Sequence, residues 1–205
     1  RPNRGGGRGI EIPYITQKFK NIHGKKIADF GCLEEGNITT NKYKIPNDNK
    51  FYYFDIKPKK EINKENYYCR NFTNPDIFEE NYFDYGLSVS VIEHIGLDIY
   101  DNQIQEDGDI KAVKNILKTI KPGGILYITI PVAECFYMPK DWIYCYSIKQ
   151  LESWEKIIPG KINIETFQFI KDTWYSCPKE KIIGSYHYTG YYDIVAIACL
   201  EIIKD

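Results

Sequence analysis

Residues 26–36, KIADFGCLEEG, are a short apolar run that stops at a glycine and opens into an acidic loop. Lys26 to Phe30 has the composition of a strand in the middle of a parallel sheet, buried on both faces. The loop after Gly31 therefore crosses the carboxyl edge of that sheet, where open α/β sheets bind ligands. A dinucleotide pyrophosphate needs the bare backbone N–H groups of a G-x-G-x-x-G turn. Here only Gly31 and Gly36 are glycines, and Asp29, Glu34 and Glu35 put three carboxylates in or beside the loop. That charge repels pyrophosphate and favours a nucleoside ligand that has no phosphate and carries net positive charge.

The neighbouring segments supply the rest of a sheet. Lys50 to Phe54, KFYYF, is a β-forming run ending in Asp55, 26 residues after Asp29. An acid at the tip of the second strand either holds ribose hydroxyls or simply begins the turn before Lys57-Pro58. Tyr67 to Cys69 reads as a short third strand. Phe83 to Val89 is the fourth, leading into Ser90-Val91-Ile92-Glu93-His94-Ile95-Gly96 beside the first strand. Ile110, Val113, Ile116, Leu117 and Ile120 recur at helical spacing after a Gly108-Asp109 turn and N-cap, and Pro122-Gly123-Gly124 ends that helix before a fifth strand, Ile125 to Ile130. A helix capped by Ser147 carries Ile148, Leu151, Trp154 and Ile158. Ile162 to Ile170 and Ile194 to Ile203 are strand-like and, with no long helix between them, pair antiparallel. In the polar first crossover, Ile38, Tyr43 and Ile45 are left to cover the sheet. The expectation is a Rossmann-like α/β fold with a seven-stranded sheet, mostly parallel with an antiparallel last strand, and helices on both faces.

IADFGCLEEG, FYYFD, FDYGLSVSVIEHIGL and ILKTIKPGGILYITIP stand in an order and spacing that resembles the class I S-adenosylmethionine-dependent methyltransferases, over about residues 10 to 203. Within them the chain is similar to small members carrying an S-x-I-E-H-I-G-L segment followed by G-D, a helix and K-P-G-G. Leu33 departs from the pattern, standing where many members have a second glycine. S-adenosylmethionine, with its sulfonium and ammonium groups, fits the charge of the acidic loop. The resemblance implies cofactor contacts from Asp29, Gly31, Cys32, Asp55, Ile56, Asn71, Phe72 and Ser90. Asp29 would bind the ammonium or orient the loop, and Asn71 and Phe72 would hold adenine unless 70–73 is an ordinary strand exit. A leading helix over the cofactor makes Glu11 and Tyr14 candidate substrate contacts, with plain helix packing as the alternative; Glu93 and Tyr146 complete that set. The implied activity is O-methylation of a small molecule or sugar.

Glu93 and His94 are adjacent and cannot both face one way on a regular element. A neutral imidazole at His94 is the candidate general base, against a purely structural histidine. In related O-methyltransferases an E-x-x-E-H segment binds a divalent ion, but here Ser90 replaces the first glutamate. Too few ligands remain, even with His187, so no metal is expected. The aromatic stretch 131–146, with Phe136, Tyr137, Met138, Trp142, Tyr144 and Tyr146, is either a substrate lid or a second apolar cluster.

Composition bounds these readings. The 205 residues suit a flexible segment 1–9 and a single domain 10–205. A net charge of −1 gives no general pull toward nucleic acid or anionic membrane. Six cysteines without a C-x-x-C pair suggest free thiols in a reducing cytoplasm. Apolar runs are too short to span a bilayer. RPNRGGGRG is read as a frayed end, with an RNA-binding Arg-Gly segment as the rival. Two other functions stay open: a metal-assisted nucleic-acid methyltransferase, suggested by Glu93-His94 and that tail, and an inactive scaffold with the same fold, suggested by Leu33.

Overall fold

The computed structural model describes residues 6–32, 42–57, 65–98, 104–136, 143–183, 186–188 and 191–205. Helix α1 (Arg8–Phe19) precedes β1 (Lys26–Phe30), β2 (Lys50–Asp55), β3 (Tyr67–Cys69) and β4 (Phe83–Val89). After a 3-10 turn (Ile92–His94) come α2 (Gly108–Thr119), β5 (Ile120–Ala133), β6 (Tyr146–Ser147) and α3 (Ile148–Ser153). The chain ends through β7 (Lys161–Ile170), β8 (Thr173–Ser176), β9 (Tyr186–Tyr188), β10 (Tyr191–Asp193) and β11 (Ala196–Ile203).

The strand order β3-β2-β1-β4-β5-β11-β7-β8 reverses direction of growth between β1 and β4, which are parallel neighbours. Strands β1 to β5 run parallel, and β11 lies antiparallel between β5 and β7. The sheet has nine strands rather than the seven expected. Lys171 and Asp172 both take positive φ, 49° and 64°, which forms a tight two-residue hairpin that folds β8 back on β7. No glycine marks that turn in the sequence. The ninth strand is the two-residue β6, parallel to the end of β5. Strand β5 also starts five residues earlier than Ile125. Its pairing with β4 shifts register between Phe83 and Tyr85, and Pro122-Gly123-Gly124 is absorbed in that irregularity. Pro13 lies inside α1 rather than in its first turn, because the helix opens at Arg8. Asp109 is likewise inside α2, and Asp107 holds the N-cap position.

Alternation along the strands sorts the side chains into two layers. Ile27, Leu87, Val89, Tyr127, Ile197 and Cys199 face α1, with Tyr43 and Ile45 joining them. Ala28, Phe30, Phe54, Phe83, Ile128, Ile130 and Leu200 face α2 and α3. Much of the aromatic content is spent in this second layer, where Phe54 stacks on Phe30 at 4.9 Å and on Tyr68 at 5.1 Å and meets Phe83 edge-on. No helix among the described residues is long and apolar enough to cross a membrane.

Because Phe54 is wholly buried between β1, β3 and β4 neighbours, Phe54→Ala is expected to cost about 3–5 kcal/mol of unfolding free energy in a urea titration.

Candidate functional site at the carboxyl edge

The end of β1 is built for close approach. Gly31 has φ +86°, and a Cβ added there would lie 2.3 Å from Cγ2 of Val91 on the turn after β4. Any side chain is therefore excluded by conformation and by contact. Gly31 and Cys32 both donate their N–H groups to the Phe54 carbonyl, at 2.8 and 3.2 Å, which holds the opening of the loop against β2. Asp29, 6% exposed, lies on the α1 side of the strand. Its charge adds to the burial that pushes the Tyr53 phenol up to about 12.

Helix α1 closes the same edge from above. The Glu11 carboxyl is 0% exposed and accepts three bonds: from Ser90 Oγ at 2.5 Å, from Thr129 Oγ1 at 2.6 Å, and from Arg8 Nη1 at 3.1 Å. Arg8 Nη1 also donates to the Val89 carbonyl at 3.3 Å. Ser90 sits at φ +52°, a left-handed conformation uncommon for serine, held by its N–H on the Thr129 carbonyl at 3.0 Å. Lys42 stands in the field of Arg8, Glu11 and Asp29, its ammonium held below the ordinary range by burial first and Arg8 second.

The turn after β4 buries Glu93 and leaves His94 half-buried. Glu93 is 2% exposed, and its Oε2 has no hydrogen-bond partner. Burial pushes its carboxyl up to about 8; the charge of Glu11 adds to this, while Arg8 and the Ser90 hydroxyl oppose it. The turn is fixed by the Tyr144 N–H on the Glu93 carbonyl and by the approach of Gly96 to Gly108, where a Cβ on either would strike backbone.

On the β2 side, Asp55 is half-buried and accepts from Lys57 N–H at 3.3 Å, while its own carbonyl accepts from Arg70. The Ile56 carbonyl accepts from Cys69 Sγ at 3.1 Å. Asn71 makes an Asx turn, its Oδ1 accepting from Thr73 N–H and hydroxyl, and α2 clamps that turn through Asn115 Nδ2 on the Phe72 and Thr73 carbonyls.

The structure thus gathers Asp29, Gly31, Cys32, Asp55, Ile56, Glu11, Ser90, Glu93 and His94 at the carboxyl ends of β1, β2 and β4 or directly over them. Three other candidates are placed elsewhere. Tyr14 packs edge-on against Tyr127 and Phe167 between α1 and the sheet, because it points along the helix face that holds Ile15 and Phe19. Phe72 turns its ring into the core against Phe30. Tyr146 is buried against Trp154, and its hydroxyl donates to Asp109 Oδ2 at 2.8 Å. Leu33, Glu34, Glu35, Gly36, Ile38, Tyr137, Met138, Trp142 and the His187 side chain lie outside the described residues. Among the described residues no three His, Cys, Asp or Glu side chains are grouped to hold a metal ion. Arg8, Lys42 and Thr129 belong to the site and were missed in the sequence. The Arg8–Glu11 spacing of three was the available signal for one of them.

Residues 37–147 match the family DUF268, described as a Caenorhabditis protein of unknown function. The chain belongs to this family. The matched region contains β2 to β6 with the turn after β4 and α2, and does not include α1 or β1. No curated protein matches by sequence. Among solved structures, similarity extends to the 1,6-didemethyltoxoflavin-N1-methyltransferase of Burkholderia thailandensis, solved with bound 1,6-didemethyltoxoflavin and S-adenosylhomocysteine. Identity is 11%, TM-score 0.58, over 96% of this chain and 80% of that one. A SAM-dependent methyltransferase from Archaeoglobus fulgidus matches at 13% identity and TM-score 0.59, over 96% and 95%. The [4+2]-cyclase SpnF matches at 17% and 0.55, over 79% of this chain and 60% of its own. At such identities the likeness establishes the fold: this DUF268 member has the class I methyltransferase architecture.

Two outcomes test the site's construction. Gly31→Ala should lower the melting temperature sharply, since the turn cannot be kept without displacing Val91. For Glu93 the sign follows from a folded-state value raised above the ordinary glutamate value of 4.5. Its contribution to stability is fully present below about 4.5 and is lost as pH rises through about 8. Unfolding free energies of wild type and Glu93→Gln, measured from pH 5 to 9, should therefore converge or cross in favour of the variant, by up to about 1.4 kcal/mol per pH unit.

Proposed function

We propose that this chain is an S-adenosylmethionine-dependent methyltransferase that acts on an oxygen of a small molecule or sugar. The observation that carries the reading is one of placement. A glycine turn at Gly31 at the end of β1, packed under Val91, an acid at the tip of β2 and a buried carboxyl after β4 share the carboxyl edge where the strand order reverses. The residues fit a nucleoside with positive charge. Asp29, Asp55, Glu11 and Glu93 outnumber Arg8 and Lys42 there, and no glycine-rich phosphate cradle is present among the described residues. Residues 10–205 then form a single methyltransferase domain, in a cytoplasmic setting that suits the free cysteines.

In this reading Gly31 lets backbone approach the ligand, Asp55 accepts from the ribose hydroxyls, and Asp29 with Cys32 shapes the loop around it. Ile56 covers the nucleoside beside Asp55, and Asn71 lies near its base. When bound, the cofactor supplies an activated methyl group for in-line displacement. The protein's part is chiefly to hold an acceptor oxygen at about 3 Å in the correct line, which can supply much of the rate. His94, on the turn facing the first strand's loop, is the candidate base for an acceptor that must lose a proton. Phe136 and Tyr144, stacked at 5.5 Å beyond the end of β5, offer an aromatic surface to a ring or sugar.

Calorimetric titration with S-adenosylhomocysteine tests the reading directly. Wild type should bind in the micromolar range. Asp55→Ala should bind at least about tenfold more weakly, as expected for loss of a charge-assisted hydrogen bond. Absence of binding by folded wild type would overturn the activity and leave the fold without it.

A further inference from the structure

S-adenosylmethionine and S-adenosylhomocysteine share adenosine, amino and carboxylate groups, and differ by one methyl and one positive charge. A protein that turns over must bind the first and release the second. Contacts to the shared groups cannot make that distinction. A group that changes its own charge in response to the sulfonium can.

Glu93 meets the requirements by position. It is the middle residue of the turn leaving β4, 2% exposed, with Oε2 turned to no donor among the described residues. Among the described residues, no cation packed around it is left free to pair with it. From α1 come Glu11 and Arg8, and Arg8 is already engaged with Glu11 Oε2 and the Val89 carbonyl. From the end of β4 comes Ser90, whose hydroxyl is donated to Glu11 Oε1 and which, with Glu93's own backbone N–H, eases the burial of the Glu93 carboxyl only in part. From β6 comes Tyr146, whose hydroxyl is donated to Asp109 of α2. His94 follows Glu93 on its own turn, and Lys42 stands in the field of Arg8, Glu11 and Asp29. A carboxyl so enclosed is held neutral by burial and by the neighbouring acid.

Resting on the methyltransferase reading, we propose that Glu93 reads the charge of the cofactor: it is protonated in the free protein, surrenders its proton when the sulfonium form binds, and keeps it when the uncharged thioether occupies the same site. The carboxylate so formed is the counter-ion that Glu11, already paired with Arg8, cannot be. An opposite charge within about 4–6 Å lowers a carboxyl's pKa by about 1–3 units, enough to carry a group near 8 below neutrality. Methyl transfer removes the sulfonium charge, Glu93 takes up a proton, and the attraction that held the cofactor is withdrawn from the product. The device favours product release without any movement of the fold.

The test is isothermal calorimetry of the full chain at pH 7 in buffers of different ionisation enthalpy, which counts protons exchanged on binding. Wild type should release close to one proton with S-adenosylmethionine and close to none with S-adenosylhomocysteine. Its preference for the sulfonium form should climb between pH 6 and 8 by up to about tenfold per pH unit, because ligand titrations common to both cancel. Glu93→Gln should lose the difference in proton count and flatten that preference, whereas His94→Gln should keep both. The wild-type comparison stands even if a variant fails to fold. Equal proton counts for the two ligands, or a sulfonium-specific release that survives in Glu93→Gln, would overturn the inference while leaving the methyltransferase reading intact. If neither ligand binds the wild type, that reading falls and this one with it.

Discussion

The Glu11 carboxyl has no contact with water, and burying such a group is costly unless hydrogen bonds replace the solvent. Here the donors come from three elements: Arg8 one turn earlier on α1, Ser90 at the end of β4 and Thr129 on β5. Sliding α1 along the sheet would strand the acid, so the helix has one seat. The same bonds explain why Ser90 tolerates a left-handed backbone, since its hydroxyl and its N–H are both occupied. With Ser90 fixed, the turn that follows has a set direction, bringing Val91 over Gly31 and burying Glu93. The carboxyl edge is thus assembled around one acid that is itself fully hydrogen-bonded.

Strand alternation then divides the work between the two faces of the sheet. Odd-numbered positions of β1 and β5 turn toward α1, which is how Asp29 and Thr129 come to share a face. The even-numbered positions carry Phe30, Leu126, Ile128 and Ile130 into the aromatic and aliphatic layer under α2 and α3. Stability is concentrated in that second layer. The first layer can therefore hold polar groups at its carboxyl end without emptying the core.

The sequence was most legible where a single principle dominates. Strands β1 and β4 coincide with the apolar runs 26–30 and 83–89, because buried strands of a parallel sheet are nearly continuous in apolar residues, while β2 and the edge strand β3 coincide with the β-forming aromatic runs 50–55 and 67–69. It was least legible where geometry was carried by unremarkable residues. Lys171-Asp172 makes a hairpin that would ordinarily advertise itself with Asn-Gly, so β8 was invisible. Arg8 sits in a glycine-rich stretch that reads as a frayed end, although the buried acid three residues later makes it a helix residue. Thr129 lies within a strand run and shows its role only when α1 is in place. For Tyr14 and Phe72 the resemblance suggests ligand contacts, with helix packing and a plain strand exit as the alternatives, and it is the alternatives that hold: rotation about α1 and the clamp of Asn115 send their rings into the core. Of the adjacent pair Glu93 and His94, it is the glutamate that is buried, while the histidine is half-buried.

Average charge hides the feature that matters most at this edge. The chain is close to neutral, so no long-range field selects its ligands, and salt screens charges over roughly 10 Å in any case. Within that radius the balance is different. Glu11 absorbs Arg8, Lys42 is divided between Arg8's repulsion and the attraction of Glu11 and Asp29, and Glu93 is left without a cation. An edge arranged in this way penalises an anion, which would meet buried acids and a cation already engaged. It is equally poor for a neutral ligand, which would cover Glu93 without satisfying it. A ligand bringing its own positive charge would meet the electrostatic deficit that the described residues leave at Glu93. SpnF is named a cyclase, and so the shared architecture does not by itself dictate a reaction. The chemistry has to be read from the residues at the edge itself, among them the buried acid Glu93.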